Sequence, residues 1–117
     1  MKEIENAKIT YVDLSMADHG CLVLKIELKG NGWGCCYGNT CLGHGYLGAK
    51  EFKGSPKGTE EIMRIMDVVG VERFNDMKDK YVRVELNGLG EVVTKIGNII
   101  EDKWFDYKEF YNDETNS

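Results

Sequence analysis

From Cys21 to Lys29, the apolar residues Leu22, Leu24, Ile26 and Leu28 occur at every second position, the period of a strand with one buried face. Lys25, Glu27 and Lys29 fall on the opposite face, which therefore meets water. Upstream, Ile4 to Leu14 mixes β-branched and polar residues. Ser15-Met16-Ala17-Asp18-His19-Gly20 supplies turn chemistry between the two runs, which together read as an antiparallel hairpin. A further strand follows from Gly30 to Asn39. Ile62, Ile65, Met66 and Val69 then recur at helical spacing, with Glu60, Glu61, Arg64 and Asp67 placed on the solvent side. This predicts one amphipathic helix, begun at Ser55-Pro56 or Thr59 and stopped by Gly70. Phe74 and Met77 suggest a short helical turn. Val82, Val84 and Leu86 alternate as a strand, and Asn87-Gly88-Leu89-Gly90 reads as a hairpin turn into a strand from Glu91 to Gly97.

The predicted order is β-β-β-α-β-β. It describes an α+β fold: a small antiparallel or mixed sheet of about five strands, covered by one main helix and followed by an aromatic C-terminal segment. Residues 1–111 are expected to form a single domain and 112–117, all polar or acidic, a disordered tail.

Length and composition narrow the function. A chain of 117 residues with 42% hydrophobic content builds one core, which excludes a two-lobed enzyme with a cleft between domains. No apolar run approaches the ~20 residues that cross a bilayer, and Met1-Lys2-Glu3-Ile4-Glu5-Asn6 lacks the apolar core of an export signal. A cytoplasmic location is expected, with Cys21, Cys35, Cys36 and Cys41 as reduced thiols. The net charge of −5 is unevenly placed: the last seventeen residues hold six acids against Lys103 and Lys108. No large basic footprint is left for nucleic acid, and neither direct nucleic-acid binding nor membrane association is expected.

Glycine sets the middle of the chain apart, with nine of the fourteen between Gly30 and Gly58. Read as a strand, this segment puts Trp33, Cys35, Tyr37 and Asn39 on one side and Gly34, Cys36 and Gly38 on the other. The bare side could take a ligand or a close-packed helix, and the aromatic side could stack on bases or fill a core. Gly43 to Gly58 reads as a long connection carrying Lys50, Lys53 and Lys57 against Glu51, which could meet an anion. The candidate ligand-binding residues are Trp33, Tyr37, Asn39, His44, Tyr46, Lys50 and Lys53. Cys35-Cys36-x4-Cys41-x2-His44 holds zinc-ligand types, but Cys35 and Cys36 point to opposite faces of a strand and Cys35 lies roughly 20 Å from Cys41 along it. No metal and no other cofactor is expected. The glycines do not form a phosphate loop, and no pair of carboxylates has a catalytic spacing. Trp104, Phe105, Tyr107, Phe110 and Tyr111 gather five of twelve aromatics in eight residues, which must bury most of their rings either on their own domain or in a partner subunit; docking on the own domain, with a share in a subunit interface, is expected.

Gly32-Trp33-Gly34-Cys35-Cys36-Tyr37-Gly38, Lys80-Tyr81-Val82-Arg83-Val84, and Ile96-Gly97-Asn98-Ile99-Ile100-Glu101-Asp102-Lys103-Trp104-Phe105 resemble blocks in a family of small proteins from tailed phages and prophages of Gram-positive bacteria. The Cys35-Cys36 pair departs from that pattern. The resemblance carries no catalytic residue. It implies a viral protein of the host cytoplasm that counters host defence by binding rather than catalysis. The leading expectation is sequestration of a small nucleotide immune signal by a homo-oligomer. The alternatives are an acidic inhibitor of a host defence protein such as a nuclease, or a structural or accessory phage protein.

Overall fold

The computed structural model describes residues 3–18, 20–45, 50–86 and 93–115, without the side chains of Ala17, Asp18, Asn39 and residues 113–115. The strands are β1 (Glu3–Asp18), β2 (Cys21–Gly30), β3 (Trp33–His44), β4 (Lys53–Gly54), β5 (Tyr81–Leu86), β6 (Lys95–Asn98) and β7 (Trp104–Asp106). Helix α1 (Pro56–Val69) lies between β4 and β5, a 3-10 turn spans Phe74–Met77, and α2 (Tyr107–Thr115) ends the chain. The fold is α+β with a mostly antiparallel sheet, as the patterning predicts. Among the described residues the sheet has seven strands rather than about five, in the order β4-β3-β2-β1-β5-β6-β7.

The two unforeseen strands are β4 and β7, of two and three residues. Such lengths leave no alternation to read. β1 also runs through the stretch read as a turn, because Ser15 pairs with Val23 and Asp18 with Cys21 around an irregularity in register. The connection expected from Gly43 to Gly58 is partly sheet, since Gly43 and His44 pair with Gly54 and Lys53. The Asn87–Gly90 turn and the first two residues of the strand read from Glu91 lie outside the described residues. α2 carries helix through Thr115, into the stretch read as a tail.

Long β1 belongs to two neighbours: Glu3 to Lys8 pair with β5, and Lys8 to Asp18 pair with β2. An isolated parallel bridge joins Tyr37 of β3 to Val93, just ahead of β6. That bridge brings the two ends of the run β3-β2-β1-β5-β6 together at one residue pair, so the five strands curl into a partly closed barrel. This strand order, with its shared first strand and a helix between the third and fourth of these strands, resembles that of an OB-type barrel. Inward-facing Ile9, Leu24, Ile26, Tyr37, Val82, Val84 and Ile96 fill it and are fully buried.

α1 closes one side of this core. Ser55 caps it by accepting a hydrogen bond from the Gly58 N–H at 3.1 Å, Pro56 opens the first turn, and Gly70 ends it in the left-handed region at φ +90°. Its buried stripe is Gly58, Glu61, Ile65 and Val68, one position away from the predicted Ile62-Ile65-Met66-Val69 stripe. The rotation comes from the crossing point. At Gly58 a Cβ would stand 2.8 Å from Leu42 Cα and 3.0 Å from its carbonyl oxygen, so only glycine lets the helix approach β3 this closely. Alanine favours an isolated helix over glycine by about 1 kcal/mol. Here the overlap dominates, and Gly58→Ala is expected to destabilise the domain by about 1–3 kcal/mol. Thermal melting checks this; a midpoint at or above wild type would show that β3 yields without cost.

Candidate functional site

The register of β3 sorts the candidate side chains. Tyr37 is fully buried, opposite Ile26, with its ring 5.1 Å from that of Tyr107 in an edge contact. Burial pushes its hydroxyl far above the ordinary tyrosine range. Tyr37 therefore cannot present a ring to a ligand at the surface, because the alternation that could serve a site serves the core. Trp33 is half-buried, packs against the core, and donates from Nε1 to Glu5 Oε1 at 3.1 Å. Its ring covers Gly30, where a Cβ would meet it at 2.1 Å. Cys35 also points inward, and burial, followed by neighbouring Cys36, raises its thiol to about 11, the opposite of a reactive thiolate. Asn39 is the extra residue of a bulge whose side chain is outside the described residues, as is all of Tyr46. His44, Lys50 and Lys53 are exposed. The structure sets His44 beside Lys53 on neighbouring strands but places both at the far end of β3 from Trp33, roughly 35 Å away.

The outer face of β1-β2-β3 carries the bare side of the glycine segment: Gly34 and Cys36 are exposed there. α1 crosses at Leu42 instead, leaving this face open. One cross-strand row runs Tyr81, Lys8, Lys29, Gly34 over four adjacent strands. Tyr81 is 57% exposed. Two hollows meet at Lys29. The larger, about 630 Å³, is lined by Thr10, Glu27, Gly32, Gly34 and Cys36 among others; the smaller, about 250 Å³, by Asn6, Lys8, Asn31 and Tyr81. Lys8 faces Asp79 at 3.7 Å and Lys25 faces Glu27 at 3.5 Å, whereas Lys29 has no ion-pair partner among the described residues.

At the opposite end of the same face stand Cys21, Cys41 and His44. Two register shifts bring them together: an unbulged hairpin from Asn31-Gly32 would set Cys21 opposite Leu42, but the shifts move it opposite His44. Cys41 lies opposite Val23, and since Cys21 and Val23 share a face of β2, so do their partners. Cys21 Sγ is 3.6 Å from His44 Nδ1, and Cys41 Sγ is 3.8 Å from His44 Nε2. Reading β3 as an unbroken strand puts Cys41 and His44 on opposite faces and never connects either with Cys21.

A buried acid was also misplaced by the helical pattern. Glu61 is fully buried, and its Oε1 accepts hydrogen bonds from Thr40 Oγ1 at 2.8 Å and the Tyr111 hydroxyl at 2.7 Å. Its Oε2 is buried with no hydrogen-bond partner among the described residues. Burial raises its pKa above the usual carboxylate range, against the smaller lowering effect of the two hydroxyls. The arrangement ties α1, β3 and α2 together. The remaining aromatics of the C-terminal segment dock on the same chain: Phe105 is in the core, Phe110 lies 5.2 Å from it, and Lys57 sits 4.0 Å over the Phe110 ring.

The Ile96-to-Phe105 block is explained by packing. Ile96 is buried, and Gly97 lies under the Trp104 ring, where a Cβ would be 2.5 Å away. Asn98 donates to the Val68 carbonyl at the end of α1 and accepts from the N–H groups of Ile100 and Glu101. These residues fasten β6 to α1 and to the following loop. No protein-family model, curated protein or solved structure matches the chain.

Proposed function

We propose that this protein is a non-enzymatic binding module that takes a small nucleotide-type anion on the outer face of β1-β2-β3. The observation that carries the reading is Lys29. This cation has no ion-pair partner among the described residues, lies where two hollows meet, and has Lys8 and exposed Tyr81 on one side and bare Gly34 on the other. Lysines suit phosphates, an exposed tyrosine suits a base, and a glycine floor permits close approach. The corresponding face of OB-type barrels binds oligonucleotides and oligosaccharides, a fold-level analogy that supports this location without fixing the ligand. The overall negative charge favours a compact ligand over a long polyanion. With the resemblance to phage proteins, the reading extends to sequestration of a host nucleotide signal in the host cytoplasm. The alternative of a protein inhibitor loses its main contact, because the C-terminal aromatics are engaged on their own barrel.

Thermal-shift measurements with cyclic dinucleotides, ADP-ribose and a short single-stranded oligonucleotide test the proposal. One ligand at about 100 times its Kd should stabilise the fold by ~2.7 kcal/mol. Lys29→Glu should weaken that binding at least tenfold while leaving the unliganded midpoint nearly unchanged. No shift with any of these ligands, in folded protein, overturns it; a shift with the oligonucleotide alone redirects it to single strands. Native mass spectrometry of the same samples decides whether the proposed homo-oligomer forms.

A further inference from the structure

We propose that Cys21, Cys41 and His44 form a zinc site that keeps one coordination position open. The three ligand atoms come from both strands of the β2-β3 hairpin and lie within 4.8 Å of one another. In a tetrahedral site with Zn–S near 2.3 Å and Zn–N near 2.0–2.1 Å, donor atoms stand about 3.6–3.8 Å apart. The two sulfur-to-imidazole separations, 3.6 Å and 3.8 Å, already have that size. The sulfurs approach different ring nitrogens, and since the three donor atoms already lie within 4.8 Å of one another, side-chain shifts of about 1 Å bring them to tetrahedral separations.

The backbone supports the geometry. The register shifts in β2-β3 set the three side chains on one face, and the Gly45 N–H donates to the Gly20 carbonyl at 2.7 Å, tying the end of β3 to the start of β2. Cys41 and His44 are exposed and Cys21 half-exposed, so an ion can enter from solvent without opening the core. Two thiolates and a neutral imidazole balance the charge of a divalent ion. They are the soft and borderline donors that favour zinc over magnesium or calcium. On binding, each thiol proton passes to solvent and the metal undergoes no redox change. With three protein ligands, the fourth position takes water or an anion, as in zinc sites that are not purely structural. This inference does not depend on the nucleotide reading, since Lys29 lies at the other end of the hairpin.

Cobalt titration of the reduced full-length protein tests it. One Co²⁺ per chain is expected, with the visible bands of a tetrahedral ion and a near-ultraviolet thiolate-to-cobalt band, both removed by one equivalent of Zn²⁺. Cys41→Ser and His44→Ala should each weaken binding at least tenfold, and Cys36→Ser, on the same face but away from the cluster, should not. A folded, reduced protein that shows no thiolate-to-cobalt band overturns the proposal. So does equal loss of binding in Cys36→Ser. If a ligand variant does not fold, the wild-type spectrum decides, because thiolate coordination is read there directly.

Discussion

Glu61→Gln should abolish a pH dependence of stability that the wild type carries, while Glu61→Ala should destabilise the domain by about 2–4 kcal/mol. The alanine loss follows from the hydroxyls of Thr40 and Tyr111, which both donate to Oε1. An unsatisfied buried donor costs about 1–3 kcal/mol, and the vacated volume adds a cavity. Glutamine keeps the acceptor and nearly the same shape but cannot ionise. The sign of the pH effect is set by the raised pKa of the native carboxyl. Above about pH 4.5 the unfolded chain has released this proton while the native state still holds it, so wild-type stability falls as pH rises. The fall ends once pH passes the raised native pKa. Below the unfolded value, wild type and Glu61→Gln should run parallel; above it they should diverge in favour of the glutamine variant. Denaturant titrations of both proteins at a series of pH values measure this. Parallel curves across the whole range would show that burial of Glu61 carries no titration cost.

Removal of residues 107–117 should have the other large effect, a loss of about 4–6 kcal/mol. The deleted segment supplies the edge contact of Tyr107 on Tyr37, the packing of Phe110 on Phe105, and the Tyr111 hydrogen bond to Glu61. Each partly buried aromatic contributes about 1.5–2 kcal/mol, and the lost donor adds to the sum. A domain of this size has a total stability of about 5–15 kcal/mol, so the shortened chain would be near the limit of folding. Circular dichroism and thermal melting distinguish the outcomes. A shortened protein that melts within a few degrees of wild type would mean that α2 lies on the barrel without holding it.

The strands with regular alternation were legible in the sequence because their period is local. Leu24, Ile26 and Leu28 face inward as their spacing requires, as do Val82 and Val84. The start and stop of α1 were legible for the same reason, in Ser55-Pro56 and Gly70. The face of α1 was not, because an acid counts as solvent-facing in any apolar pattern and Glu61 is held inside by partners distant in sequence. Trp33 and Tyr37 show a different limit. Alternation put them correctly on one side of β3, but that side could belong to a site or to a core until the barrel's closure was known. The Cys21-Cys41-His44 cluster depends on two irregularities of register, and no residue type in the hairpin announces either. Sequence spacing alone therefore drew attention to Cys35 and Cys36, which point to opposite faces.

The double membership of β1 also bears on how the chain assembles. β1, β2 and β3 pair with their immediate successors, so this meander can grow from contacts near in sequence. Glu3 to Ala7 have a different requirement: their partners are Val82 to Leu86, on the far side of α1. During synthesis from the N-terminus, Glu3 to Ala7 stay unpaired until β5 has emerged. The barrel can close only afterwards, at the entropic expense of a long loop, so closure is the step that slows folding.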